Sequence, residues 1–364
     1  MTRIISVDDL AAVVSNVGFD PLLDELIVVL RQALATHDPR RLQTQDRTGF
    51  HYDQPGLGLV EWMPAMDVGR RVSIKTVGYH PSNPAQRNSP SVLATTSLYD
   101  TTDGRLVMIC EATALTALRT GAASAIATDI LAIPEASVLG VVGCGAQAVS
   151  QIHAISRVRA IRRVIAFDTD AAVSQSLPRR LATVTGEVTV EVVTEDDLGR
   201  LVAESDVLCT CTTVEPGAGP VIPESEHRPW LHINAVGADF SGKLEIPTAY
   251  LHNALVIPDV PGQCLIEGES QQLLAGDLGP DLAQLARNAG EYRRYRDLLT
   301  VFDSTGWALE DLVAAELIGR HCERLDLGTT IELQPTTDDP YDPYQRIRES
   351  PVSSLLPTPT GAAL

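Results

Sequence analysis

The sequence carries little positive charge and few aromatic rings. Its formal net charge is −19 over 364 residues, and aromatics make up 4%. Nucleic acid and anionic membrane surfaces need a basic footprint, so this balance argues against both as partners. The acid excess serves solubility and does not fix the sign of charge inside a pocket. No apolar run reaches the ~18 residues that a membrane helix needs. The start, MTRIISVDDL, lacks the basic-then-apolar order of a signal peptide. None of the six cysteines belongs to a CxxC pair or a cysteine–histidine zinc spacing, so no metal is expected. Cys209 and Cys211 alternate within an apolar run and would share a strand face as small buried hydrophobes. These absences lead to the expectation of a soluble, reduced, cytoplasmic protein.

What is present is a large apolar fraction, 44%, carried by Ala, Val, Leu and Ile. That composition fits a parallel α/β protein, and the length suits two domains. Ser6 three residues before Asp9 reads as a helix cap. A second helix is expected from Asp20-Pro21, with a stripe of Leu22, Leu23, Leu26, Val29, Leu30 and Ala33. From about 57 to 111 the runs GLGLVEWM, RRVSIKTVGY, SVLATTSLYD and RLVMICEA read as antiparallel strands divided by turns. A small-residue helix, ATALTALRTGAASAIATDILA, follows. After Pro134 strands alternate with helices, which implies a doubly wound parallel sheet. A late helix, ALEDLVAAELIGRHCERL, comes after that region and is expected to return to the first domain. The fold expected is α/β: a Rossmann doubly wound parallel sheet over 126–304, plus a discontinuous α+β substrate and dimerisation domain from 1–125 and 305–345. Residues 346–364 are expected to form an extended tail.

VLGVVGCGAQA ends a strand and opens a helix. Gly143, Gly145 and Ala148 fill the three positions of the dinucleotide fingerprint. Gly143 allows the tight turn, Gly145 admits a pyrophosphate to the backbone, and Ala148 lets helix and sheet approach. The helix start at Ala146 and Gln147 offers free N–H groups to phosphate. The next strand, RVIAFD, ends in Asp168, at the spacing of the acid that binds ribose hydroxyls. A carboxylate there repels a 2′-phosphate, so NAD is favoured over NADP. The bland alternatives are a tight turn in a nucleotide-free fold and a surface acid at a strand end.

Charged residues also interrupt segments that should be apolar: Lys75 in VSIKTVG, Glu61 in LVEWMP and Arg119 in LRTGAASA. Each alone reads equally well as a solvated residue. Together they suit a buried amino acid, which needs cations for its carboxylate and an acid for its amine. RTGF at 47–50, GLVEWMP, SIKTVGYHP, LRTGAASA, GCGAQA, HINAVGAD, EGESQQL and FDSTGWALED resemble the ornithine cyclodeaminase/mu-crystallin family from about residue 5 to 345. RTGF, TVGYHP, the GAGPV-P segment and the DPY repeats are most similar to its lysine-cyclising branch.

The resemblance implies roles. Arg47, Lys75 and Arg119 match residues that hold the substrate carboxylate, with Ser91 assisting. Glu61 and Lys75 lie near the reacting centre, and Asp239 matches the catalytic acid/base. Asn234, Val236, Gly237, Ser304 and Thr305 fall beside the nicotinamide, and Thr120 is a further cofactor-binding residue. The family reads G-K-T-E after the catalytic acid, whereas this chain reads Gly242-Lys243-Leu244-Glu245. The activity implied is cyclisation of a diamino acid by a homodimer with bound NAD: lysine to pipecolate, or ornithine to proline. Oxidation at Cα makes an imine, the side-chain amine attacks it, ammonia leaves, and the cyclic imine is reduced again. A net-redox amino-acid dehydrogenase or imine reductase would share the same residues.

Overall fold

In a computed structural model, which describes residues 1–184, 188–334 and 336–349, the chain folds around two sheets. The first contains β1 (Thr2–Ile5), β2 (Leu42–Thr44), β3 (Thr48–Tyr52), β4 (Gly58–Asp67), β5 (Arg71–Tyr79), β6 (Val92–Asp100) and β7 (Leu106–Glu111). The second contains β8 (Val138–Val142), β9 (Arg163–Phe167), β10 (Thr189–Val192), β11 (Val207–Thr210), β12 (His232–Ala235), β13 (Leu255–Pro258) and β14 (Thr300–Asp303). The chain then rejoins the first sheet as β15 (Thr329–Ile331). The helices up to the second sheet's first crossover are α1 (Val7–Val17), α2 (Phe19–Ala35), α3 (Asn83–Arg87), α4 (Thr113–Leu131) and α5 (Ala146–Val158). They are followed by α6 (Ala171–Leu181), α7 (Leu198–Glu204), α8 (Thr248–Asn253), α9 (Pro261–Glu267), α10 (Leu282–Arg287), α11 (Ala289–Tyr292), α12 (Ala308–Arg324) and α13 (Gln345–Glu349).

The first sheet runs β15-β1-β7-β6-β5-β4-β2, with β3 also on β4. Its pairs are antiparallel except β1 with β7. Register sets Lys75 opposite Met63 and Glu61 opposite Val77. Because side chains alternate with a period of two, Glu61 and Lys75 share the inward face. The second sheet runs β10-β9-β8-β11-β12-β14-β13 and is parallel throughout. Strand order reverses between β8 and β11, the switch point beside which ligands of such sheets sit.

Local chemistry sets the helices. The Ser6 hydroxyl accepts from the Asp9 amide, and the Asp9 carboxylate accepts from the Ser6 amide at 2.8 Å. Helix α2 starts at Phe19, one residue before the expected Asp20, and buries Leu22, Leu23, Leu26, Ile27, Leu30 and Leu34. A Cβ on Gly121 would stand 2.7 Å from the Ser150 carbonyl oxygen, so the small residues of α4 are what allow α5 so near. Helix α12 packs against α1, α2, α4, β4 and β5. Its Leu309, Leu312, Leu317 and Ile318 join Leu22, Leu26, Leu30 and Ile126 in one core. Each such side chain contributes about 1.5–3 kcal/mol on burial, which is ample to tie the end of the chain to its beginning.

Strands β1, β13, β14 and β15 were not apparent in sequence. Each has three or four residues, too short to show a periodicity. At the start of the segment read as an extended tail, residues 346–349 belong to the helical turn α13, and 350–364 lie outside the described residues. No helix among the described residues is long and apolar enough to cross a membrane.

Candidate active site

The loop from β8 to α5 forms the nucleotide side. Gly143 has φ of +91°, and a Cβ there would stand 2.7 Å from the Cys211 carbonyl oxygen. A Cβ on Gly145 would meet nothing within 4 Å. Gly145 is also the N-cap of α5 and supplies no side-chain cap, so the first-turn amides near Ala146 and Gln147 remain for an anion. Ala148 is buried against the sheet. Asp168 stands against this loop, accepting from the amides of Cys144 at 2.7 Å and Asp170 at 2.9 Å. Arg180 of α6, which sequence reading missed, donates to the carbonyls of Cys144 at 2.7 Å and Gly145 at 3.1 Å.

Further along the cleft, Asn234, Val236 and Ser304 are buried at the carboxyl ends of the paired strands β12 and β14. Asn234 Nδ2 donates to Thr128 Oγ1 at 3.0 Å, while Asn234 Oδ1 and Ser304 Oγ are buried without a hydrogen-bond partner. Two orphaned polar atoms on adjacent strands suit a ligand carboxamide. With the open first turn of α5 they fit a nicotinamide dinucleotide. The Thr120 hydroxyl donates instead to the Thr116 carbonyl within α4, at 2.7 Å. Glu245 is buried and accepts from the amides of Gly237 at 2.9 Å and Thr212 at 2.7 Å. Leu244 in place of the family's Thr therefore leaves the loop's main anchor intact.

The substrate side is built from charged side chains on separated elements. Lys75 of β5 lies 3.0 Å from Asp311. Arg119 of α4 lies 3.1 Å from Asp311 and 2.7 Å from Glu310. Both acids open α12, and all four groups are buried. Burial, helped by the nearby Arg119 cation, pushes the Lys75 ammonium down to about 8. Burial likewise raises the Glu310 carboxyl to about 7, against the pull of Arg119. Glu310 and Asp311 escaped the sequence reading because acids in a helix's first turn are ordinary. The structure shows them turned inward to meet the cations.

Arg47 stands just before β3. Its guanidinium lies 3.1 Å from Glu267 of α9 and 3.8 Å from Glu61 of β4, and it donates to the Thr305 carbonyl. It bridges two acids and lies near enough to Lys75 for its charge to act on that ammonium. Ser91 stands apart. It lies five residues along the chain from Thr96, the β6 partner of Lys75, and its carbonyl accepts from the His80 amide at 2.8 Å. Asp239 follows β12, is 48% exposed, and pairs with Lys243 at 3.0 Å. Lys243 rests over the Tyr79 ring at 5.5 Å, and Phe240 meets His51 at 5.3 Å, which seats the Asp239 loop on β5 and β3. Asp259 accepts from the Thr305 hydroxyl at 3.0 Å and the Gly306 amide at 2.6 Å, fixing the turn that carries Ser304 toward α12.

A dinucleotide cradle abutting buried cations and carboxylates defines a nucleotide-dependent enzyme for a small charged substrate. The chain belongs to the ornithine cyclodeaminase/mu-crystallin family, which it matches over residues 7–324. It is 38% identical to the L-lysine cyclodeaminase of Streptomyces rapamycinicus over 346 residues, covering 94% of this chain and 99% of that protein. A solved lysine cyclodeaminase, described for its recognition of L-lysine, L-ornithine and L-2,4-diaminobutyric acid, matches with a TM-score of 0.89 at 42% identity. The match covers 94% of this chain and 99% of that one. An archaeal alanine dehydrogenase dimer with bound NAD matches at 0.78 and 27% identity, covering 92% and 99%.

Proposed function

We propose that the protein converts L-lysine to L-pipecolate with release of ammonia, using bound NAD without net redox change. The observation that carries this reading is the gathering of the cations Lys75, Arg119 and Arg47 with the acids Glu61, Glu267 and Asp239 within electrostatic reach of one another, in a chain that also carries an open dinucleotide cradle. The likeness to lysine cyclodeaminases supports the substrate class.

NAD, when bound, supplies oxidation at Cα and the later reduction of the ring. Asn234, Ser304 and the Glu245-anchored Gly237 would hold its nicotinamide end, and Asp168 its adenosine end. Lys75 and Arg119 bind the substrate carboxylate and so fix which face of Cα meets the nicotinamide. Asp311 and Glu310 keep both cations in place before substrate arrives. Asp239 takes a proton from the side-chain ammonium, freeing a lone pair for attack on Cα. Attack within one molecule gains several kcal/mol of pre-organisation over a bimolecular one. Glu61 lies at the same centre and faces the α-amine.

We assign substrate binding to residues 1–125 with 305–345, and nucleotide binding to 126–304. A homodimer through the first sheet is supported by Phe50, 70% exposed, and by exposed Leu93 on its strands. Sedimentation should give a dimer at micromolar concentration. The composition supports a cytoplasmic location.

Incubation with lysine and NAD should yield pipecolate and ammonia with no build-up of NADH. Accumulating NADH would make the protein a net dehydrogenase, and faster formation of proline from ornithine would change the substrate.

A further inference from the structure

Ring closure leaves a proton problem for which Asp239 is badly placed in charge: having taken a proton from the side-chain ammonium, it cannot accept a second one. After the side-chain amine attacks, the ring nitrogen carries the surplus proton, while the exocyclic nitrogen that must depart is an unprotonated amine. One group able to take a proton from the first and give it to the second removes the barrier. The cleft contains a carboxylate that no step has yet used. Glu267 closes α9, shares Arg47 with Glu61, and feels the charges of both Glu61 and Asp239.

Arg47 Nη2 stands 3.1 Å from Glu267 Oε1 but off the hydrogen-bond direction, and that buried oxygen has no donor. Glu61, by contrast, is flanked by Arg47 at 3.8 Å and His51 at 3.5 Å. The charged groups acting most strongly on Glu267 are Arg47, Glu61, Asp239 and Asp259. Arg47 is the one cation among them. Burial raises the Glu267 carboxyl to about 7; Arg47 works against that rise and the three acids add to it. A group poised there gives and takes a proton with little cost in either direction at neutral pH.

We propose that Glu267 is a further catalytic residue, the proton shuttle between the two nitrogens of the cyclic diamine. Its carboxylate takes a proton from the ring nitrogen and delivers one to the exocyclic amine. The bond from Cα to that amine breaks, both electrons leave with ammonia, and the ring nitrogen's lone pair forms the C=N bond. Glu267 ends the step as it began. The inference rests on the cyclodeaminase reading.

The test is Glu267→Gln, which keeps size and an oxygen for Arg47 but cannot exchange a proton. Pipecolate formation from lysine should fall about 10²–10⁴-fold. Oxidation of added pipecolate by the same variant, read as reduced-nicotinamide absorbance, should stay near the unmodified rate, since its ring ammonium gives its proton to Asp239, as the side-chain ammonium does, and no departing nitrogen has to be protonated. Near-normal lysine turnover overturns the shuttle. Equal loss of both reactions overturns it too, because Glu267 would then merely hold the site together. If Glu267→Gln does not fold, Glu267→Asp carries the same comparison, with lysine turnover reduced and pipecolate oxidation retained. Failure of the underlying reading looks different: the unmodified protein would make no pipecolate from lysine at all.

Discussion

The two sides of the cleft hold charge by different means. On the nucleotide side the polar groups are largely backbone, gathered in the few residues from Gly143 to Gln147 and held by Asp168 and Arg180. On the substrate side they are long side chains drawn from β4, β5, α4, α9 and α12. A backbone cradle depends on conformation, so it tolerates most side chains but not a Cβ at Gly143. A buried ion cluster depends on partners, and losing one member leaves the others desolvated and unpaired. Substitution should therefore be locally forgiving on one side and collectively costly on the other.

The largest effect should come from Asp239→Asn, where the two sides meet. Turnover of lysine should fall about 10²–10⁴-fold while NAD titration stays nearly unchanged. Normal turnover would reduce Asp239 to a loop cap. Next comes Arg119→Ala, which leaves Glu310 and Asp311 to Lys75 alone. Breaking a buried pair in this way costs about 3–5 kcal/mol, measured as a lower denaturant midpoint. Adding Glu310→Gln should recover part of the loss, and strict additivity of the two changes would contradict a cluster.

Asp168→Ala tests the other side. It removes charge-assisted bonds of roughly 1.5–3 kcal/mol, so NAD should bind more weakly, and the buried ion cluster should be untouched. Equal affinity of the unmodified protein for NAD and NADP would remove the role given to Asp168.

The smallest effect is on pH. As pH rises, Glu310 ionises near 7 and competes for Arg119, and Lys75 then loses its proton near 8. Both changes lower the positive charge offered to the substrate carboxylate. Affinity for lysine in the presence of NADH, a binding step in which the Glu267 shuttle has no part, should decline by a few-fold across that window. Glu310→Gln should remove the lower part of the decline and leave the upper. A profile identical in the variant would exclude Glu310 from substrate binding.

The same contrast explains what the sequence made legible. The cradle was readable because its parts are contiguous and its glycines have a fixed spacing, GCGAQA with Asp168 after the next strand. Lys75, Glu61 and Arg119 were readable because charge stands out in apolar runs. Glu310, Asp311 and Glu267 were not, since an acid in an amphipathic helix looks solvated until the opposing cation is placed by the fold. Arg47 was assigned by resemblance to the carboxylate, but its pairing with Glu61 and Glu267 was not legible. Pairing between elements so distant in sequence leaves no local trace. Strand β14 was hidden for a simpler reason, being four residues that read naturally as part of a loop.

The return of α12 to the start of the chain has a consequence for synthesis on the ribosome. The parallel sheet, β8 to β14, is continuous in sequence and emerges before α12 does. Lys75 and Arg119 are translated early, but Glu310 and Asp311 appear only after the last strand of that sheet. Until then both cations lack the acids that neutralise them and must remain hydrated. The nascent first half cannot close its interior, and catalytic competence arrives abruptly, with one late helix, rather than growing with chain length.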